Sequence, residues 1–143
     1  MERLKLKIAV YLILIKDNKI LLSQRFNTGW QDENYSLPAG HLDPNETIVG
    51  ATVRETKEEI GIEINQEDLK LVHTMHRLGI YVDFYFTTST WTGELTNLEP
   101  EKCSDLAWYP LDNLPKNIIP SVKLAIENHR NGISFSEYSI LEK

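Results

Sequence analysis

Apolar and polar positions divide the chain into short extended runs around one amphipathic helix, with a second helix near the end. Leu4, Leu6 and Ile8 alternate with Lys5 and Lys7, and the run then stays apolar as far as Ile15. That change predicts a strand over 4–15 that enters a sheet and becomes covered on both faces. Residues 16–19 read as a turn and 20–25 as the partner strand of a hairpin. A polar loop over 26–34 carries Gly29 and Trp30. Residues 35–39 are extended, because Pro38 biases Leu37 away from the helical region. A short strand over 62–64 and strand-like runs over 69–78 and 80–89 follow, the last two meeting at Gly79. In the second of these runs Tyr81, Asp83 and Tyr85 alternate with Val82, Phe84 and Phe86. Residues 104–110 are a further strand. Pro120 fits the first position of a helix over 121–131, closed by Gly132. The last eleven residues give a weak signal. No repeat, low-complexity tract or linker interrupts the chain, so one domain over 1–143 is expected.

The stretch over 40–62, GHLDPNETIVGATVRETKEEIGI, carries the chemistry. Asp43-Pro44 sets a turn, Asn45 is a good N-cap, and a helix over about 46–60 ends at Gly61. Val49, Val53, Thr56 and Ile60 recur at helical spacing and predict the face turned to a core. Glu55, Glu58 and Glu59 share another face, an arc of about 100°. Like charges so close repel, and they stand at the end of the helix where its dipole disfavours them. Divalent cations bound by carboxylate oxygens would remove the conflict, and such sites suit Mg²⁺ or Mn²⁺. Against that stands a plain solvated acidic face, with Arg54 and Glu58 as an i,i+4 pair.

The fuller spacing separates the two readings. Gly40, five residues, Glu46, seven residues, then Arg54-Glu55-Thr56-x-Glu58-Glu59-x-Gly61-Ile62 resembles the signature of the Nudix hydrolases. Every fixed position matches; Thr56 stands where an aliphatic residue is usual, on the face predicted to pack. The resemblance implies an α/β Nudix fold, a mixed curved sheet sandwiched between helices, a topology that sequence pattern alone does not fix. It also implies Glu55, Glu58 and Glu59 as metal ligands, with Glu55 or Glu59 orienting a water and a main-chain oxygen near Ala39 or Gly40 completing the set. Arg54 and Glu46 are implied as the residues that hold these carboxylates in place. Relatives of the MutT type use a further glutamate on a loop after the sheet; Glu99 falls there, with Glu101 as its competitor. Arg25, at the end of the second strand, stands where relatives contact phosphate. Asn117 stands where they read a base, although a turn or cap role before the helix at Pro120 fits it slightly better. Trp30, Tyr35 and Phe84 are candidates to stack on a base, against the ordinary fate of strand aromatics in a core.

Composition narrows the function further. The chain has 143 residues, 41% hydrophobic and 25% charged, ordinary for a globular domain. No apolar run reaches membrane-spanning length, and residues 1–7 lack the apolar centre of a signal peptide. One cysteine, Cys103, excludes an internal disulfide, and a reducing cytoplasm is the expected home. A net charge of −6 argues against a nucleic-acid binder but not against a phosphorylated small molecule screened by metal ions. The expectation is a Mg²⁺-dependent pyrophosphohydrolase, Mn²⁺ being an alternative cation, acting as a monomer or homodimer on a nucleoside triphosphate or modified (d)NTP. A nucleoside-diphosphate-sugar pyrophosphatase of the ADP-ribose type is the alternative enzyme. A non-catalytic nucleotide sensor is the third reading, and the intact glutamates argue against it.

Overall fold

The computed structural model describes residues 1–142. Strand β1 (Lys7–Ile13) passes through Leu14 into β2 (Ile15–Lys16), and β3 (Lys19–Arg25) returns. Asp17 and Asn18 join β2 to β3 with φ of 54° and 60°. Left-handed backbone at both central residues is what a tight hairpin turn requires, and Asp and Asn tolerate it. β4 (Tyr35–Ser36) and β5 (Ala39–His41) lead to helix α1 (Ile48–Ile60). Next come β6 (Lys70–Arg77), β7 (Tyr81–Thr87), β8 (Cys103–Pro110), helix α2 (Pro120–Arg130) and β9 (Phe135–Tyr138).

The sheet expected from the sequence is present as two. One has five strands in the order β5-β1-β7-β6-β9 and is mixed, since β1 pairs parallel to β7 and β9 parallel to β6. The other is centred on β3, which pairs antiparallel with β8 along its length and with β2 and β4 on its other edge. The bend at Leu14 lets one apolar run serve both. β1 is covered on both faces, as its continuous hydrophobicity predicted. Tyr11 and Ile13 join a core with Met75, Tyr85 and, from α2, Val122, Ala125 and Ile126. Leu12 and Leu14 face a second core with Leu21, Ile62, Ile64 and, from α1, Ile60. The molecule is an α/β sandwich, and no helix among the described residues is long and apolar enough to cross a membrane.

Two local expectations are corrected. The cap of α1 is Thr47, whose Oγ1 accepts from Gly50 N at 3.0 Å; Asn45 instead takes the left-handed turn, with φ of 65°. The buried stripe of α1 is Ala51, Thr52, Thr56 and Ile60, with Val49 and Val53 only half-buried. Both threonines hide their hydroxyls by donating one turn back, Thr52 to Ile48 O at 2.9 Å and Thr56 to Thr52 O at 2.7 Å. A threonine satisfied in this way packs as an aliphatic residue of similar volume. The tail, where the sequence signal was weak, contains β9 at the edge of the larger sheet.

Candidate active site

A cleft of about 850 Å³ opens between the two sheets, beside α1. β1 contributes Ala9 and Tyr11, β3 contributes Ser23 and Arg25, and the β5 edge contributes Ala39, Gly40 and His41. Glu55, Glu58, Glu59 and Glu99 line it, and so do Arg25, Trp30, Arg77, Tyr81 and Lys102.

The acidic end is built by three devices. The first is Gly40, paired with Val10 in the β1–β5 ladder. A Cβ at Gly40 would lie 2.1 Å from Cδ of Glu55 and 2.4 Å from its Cγ. The glycine is there for space, so that the Glu55 carboxylate can lie against the strand. The second is Arg54, a fork with five donors. Its Nε and Nη2 hold the two oxygens of Glu46 at 2.6 and 2.9 Å. Its Nη1 reaches Glu55 Oε1 at 2.9 Å and Glu58 Oε2 at 3.1 Å, and its Nη2 donates to His41 O at 3.2 Å. Glu46 also accepts from Asp43 N at 3.0 Å, tying the 41–46 loop to the helix. The Arg54 bonds hold the Glu46 carboxyl down to about 2, so it stays an anchor at any ordinary pH.

The third device is the loop that closes the C-terminal end of α1. The last carbonyls of a helix lack partners within it. Thr96 N donates to Ile60 O and Leu98 N to Glu59 O, both at 3.0 Å. Asn97 pins the loop by donating to Cys103 O at 2.8 Å and accepting from Glu99 N at 3.1 Å. Glu99 is thereby fixed in the same cleft as Glu55 and Glu59. Glu101 is exposed and does not line the cleft, so geometry separates the two candidates.

Glu59 accepts from Ala39 N at 2.9 Å. Burial pushes its carboxyl up to about 8; the Ala39 N–H opposes this, and the charges of Glu55 and Glu99 add to it. Burial raises Glu55 as well, against the pull of Arg54. Glu58 is the most open of the three, its side chain 57% exposed. Among the described residues no three acidic, histidine or cysteine side chains yet converge on one point. Arg54 draws Glu55 and Glu58 to itself, and Glu59 leans on Ala39. The donors are nonetheless all oxygen and sit on one side of one cleft, where their charges disfavour the ionised forms of Glu55 and Glu59, which is the chemistry that suits a hard divalent cation.

The rest of the cleft is basic and aromatic. Arg25 Nε donates to Trp30 O at 2.7 Å, and its guanidinium lies 5.0 Å from the Trp30 ring. Arg77 lies 4.3 Å from the Tyr81 ring and 5.7 Å from Trp30. Its Nε and Nη2 grip Asp83 at 2.5 and 2.9 Å, and Asp83 is fully buried.

Of the sequence candidates, Arg25, Trp30, Gly40, Glu55, Glu58, Glu59 and Glu99 come together in the cleft, with Arg54 and Glu46 directly behind. Asn117, Tyr35 and Phe84 stand apart from it. The Asn117 side chain donates to Glu33 O at 2.6 Å and its own carbonyl accepts from Tyr35 N at 2.9 Å, so it ties two loops together. The Tyr35 hydroxyl donates to Asp105 at 2.7 Å and accepts from Tyr109 at 2.8 Å. Phe84 points away because it alternates with Asp83 and Tyr85, which face the other side of β7. Sequence reasoning missed Arg77, Tyr81 and Lys102. The opposite charges of Arg77 and Asp83 astride the Gly79 hairpin were a legible signal for the first. Cys103 also lines the cleft, accepting from Ser23 Oγ at 3.2 Å.

Comparison with known proteins follows the same outline. The NUDIX domain family model matches residues 5–128. The chain is 35% identical over 98 residues to an 8-oxo-dGTP diphosphatase of Proteus vulgaris, covering 67% of this chain and 87% of that one. It is 34% identical over 112 residues to an ADP-ribose pyrophosphatase of Methanocaldococcus jannaschii, covering 76% of this chain and 64% of that one. It is also 34% identical over 110 residues to the human 8-oxo-dGDP phosphatase NUDT18, of which it spans only 33%. The crystal structure of a MutT NUDIX hydrolase from Burkholderia pseudomallei superposes with a TM-score of 0.79 at 25% identity, covering 86% of this chain and 97% of that one.

Proposed function

The chain belongs to the NUDIX domain family, and from that membership we propose that it is a Mg²⁺-dependent pyrophosphohydrolase cleaving a nucleoside triphosphate, or a modified (d)NTP, to the monophosphate and pyrophosphate. That it is a hydrolase of phosphoanhydride bonds follows from the family and its diphosphatase and pyrophosphatase relatives. The observation that carries the finer reading is the polarity of the cleft. Four glutamates stand at one end, and Arg25, Arg77 and Lys102 line the same space around Trp30 and Tyr81.

Glu55, Glu58, Glu59 and Glu99, with the Gly40 carbonyl, would hold the cation, which when bound supplies charge neutralisation and a positioned water. Manganese would suit the same oxygen donors. The chain's own residues do the rest. Arg54 fixes the orientation of Glu55 and Glu58 from behind. Glu59, holding a proton in the metal-free site, becomes an acceptor once ionised; either it or Glu55 orients the attacking water. Arg25 offers a fixed guanidinium to a phosphate, and Trp30 offers a ring to the organic end.

A second reading, an ADP-ribose-type pyrophosphatase, is favoured by the likeness to the Methanocaldococcus enzyme. A panel of (d)NTPs and ADP-ribose incubated with Mg²⁺ separates the two by product. Nucleoside monophosphate with pyrophosphate supports the first reading, and AMP with ribose phosphate the second. Neither product with any substrate overturns both.

A further inference from the structure

The C-terminal segment crosses from the edge of the larger sheet to the wall of the cleft. β9 pairs with β6 as far as Arg77 opposite Tyr138, and Leu78 N donates to Tyr138 O at 2.9 Å. The chain then leaves the sheet and is caught at Glu142. Both carboxylate oxygens of Glu142 bind Ser121 at the start of α2, Oε2 accepting from N at 2.8 Å and Oε1 from Oγ at 2.6 Å. Its carbonyl accepts from the Trp30 indole N–H at 3.0 Å. α2 begins at Pro120, and its N-cap residue, Ile119, offers no side-chain cap. Glu142 supplies that cap from 21 residues away.

Between the two attachments Ile140 and Leu141 line the cleft. They are 69% and 74% exposed, and Leu78 and Ile80, from the β6–β7 turn, line it too at 65% and 44%. Four exposed aliphatic side chains around one concave site are out of keeping with a water-filled rim and mark a surface that a ligand covers. The acidic end has no such residues. We infer that residues 140–142 form a strap across the cleft, anchored through Glu142 to Ser121 and Trp30, whose Ile140 and Leu141 side chains bind the ring face of the nucleotide base opposite Trp30. The inference rests on the nucleotide reading of this cleft. Ring faces are apolar and common to all bases, so the strap selects for the presence of a base over its identity. Glu142 is a positioning residue, and Ile140 and Leu141 are the contacts.

The test compares two probes in Ca²⁺ by titration calorimetry, without turnover: dGTP, and inorganic tripolyphosphate, which has the phosphates and no base. The double variant Ile140→Ser, Leu141→Ser should weaken dGTP about tenfold, the scale of a lost apolar contact in a pocket, and leave tripolyphosphate within about twofold. Glu142→Ala should do the same, and Glu142→Gln, which keeps an oxygen for Ser121, should restore much of the loss. Equal weakening of both probes, an unchanged dGTP affinity, or a wild type that binds dGTP no better than tripolyphosphate would each overturn the strap. Melting temperatures identify a variant that has merely unfolded; the exposed Leu141→Ser alone then carries the comparison. Failure of the nucleotide reading shows separately, as no turnover of either dGTP or ADP-ribose in Mg²⁺ by the wild type.

Discussion

Gly40→Ala is the sharpest perturbation the site offers, because its cost can be worked from one contact. The added Cβ would lie 2.1 Å from Glu55 Cδ and 2.4 Å from Oε2, where ordinary contact begins near 3.4 Å. Glu55 must therefore retreat by more than about 1 Å, a misplacement on the order that costs roughly 100-fold in rate. At 1.36 kcal/mol per factor of ten, that is about 2.7 kcal/mol of transition-state stabilisation. Folding should barely notice. The backbone at Gly40 is not left-handed, and what must move is the flexible end of a glutamate. The assay pairs pyrophosphate release from the best substrate at saturating Mg²⁺ with a thermal melt of the metal-free protein. The expected result is a kcat/KM lower by about two orders of magnitude and a melting temperature within about 2 °C of wild type. Unchanged activity would refute the steric role of the glycine. A matching collapse in stability would show that Gly40 serves the sheet and not Glu55.

Further outcomes follow from named contacts. Arg54→Lys cannot reproduce the fork onto Glu46, Glu55 and Glu58, so activity should fall and half-saturation by Mg²⁺ should rise about 10- to 100-fold; an unchanged Mg²⁺ titration would make Arg54 a surface residue. Val53 is half-buried and Ile60 buried, so Ile60→Asp should abolish folding while Val53→Asp costs only about 1–2 kcal/mol by denaturant titration. Similar losses at both would restore the face read from the sequence. Glu59 titrates near 8 when folded, against an ordinary 4.5. The folded metal-free protein therefore favours the protonated form, a contribution present below the ordinary value and lost as pH rises through about 8. In EDTA the melting temperature should fall between these values, and a flat profile would contradict the burial of Glu59. Arg25→Ala should weaken every phosphorylated substrate about equally, since phosphate carries no base identity; a base-dependent effect would move Arg25 to the organic end.

The parts legible in the sequence were those written in local spacing. The 40–62 stretch showed its helix, its stop at Gly61 and its acidic face, because those depend on residues a few positions apart. The two-sided burial of β1 showed as an unbroken apolar run. Thr56 was read correctly on the buried face from its spacing, whereas Thr52 was passed over because a threonine that bonds back one turn packs like valine while still counting as polar. Asn45 and Thr47 are both good caps by composition, and only the turn after Pro44 decides between them. Glu99 was picked by resemblance, but what fixes it, the Thr96 and Leu98 N–H bonds to the end of α1, joins segments over 30 positions apart and leaves no periodic trace. The same holds for β9, a four-residue edge strand in parallel register with β6, and for Glu142 capping α2. Asn117 shows the opposite limit: an amide at a suggestive position, held by Glu33 in a loop and not facing the cleft.

The claim that joins fold to function is that the carboxylates of α1 and Glu99 form a site for a divalent cation. Mn²⁺ titration followed by electron paramagnetic resonance reads that site directly, with no substrate chosen in advance. The wild type should take up Mn²⁺ competitively with Mg²⁺, and Glu59→Gln should lose most of that binding while melting no lower in EDTA. Uptake by Glu59→Gln equal to wild type, or none by the wild type, would contradict it.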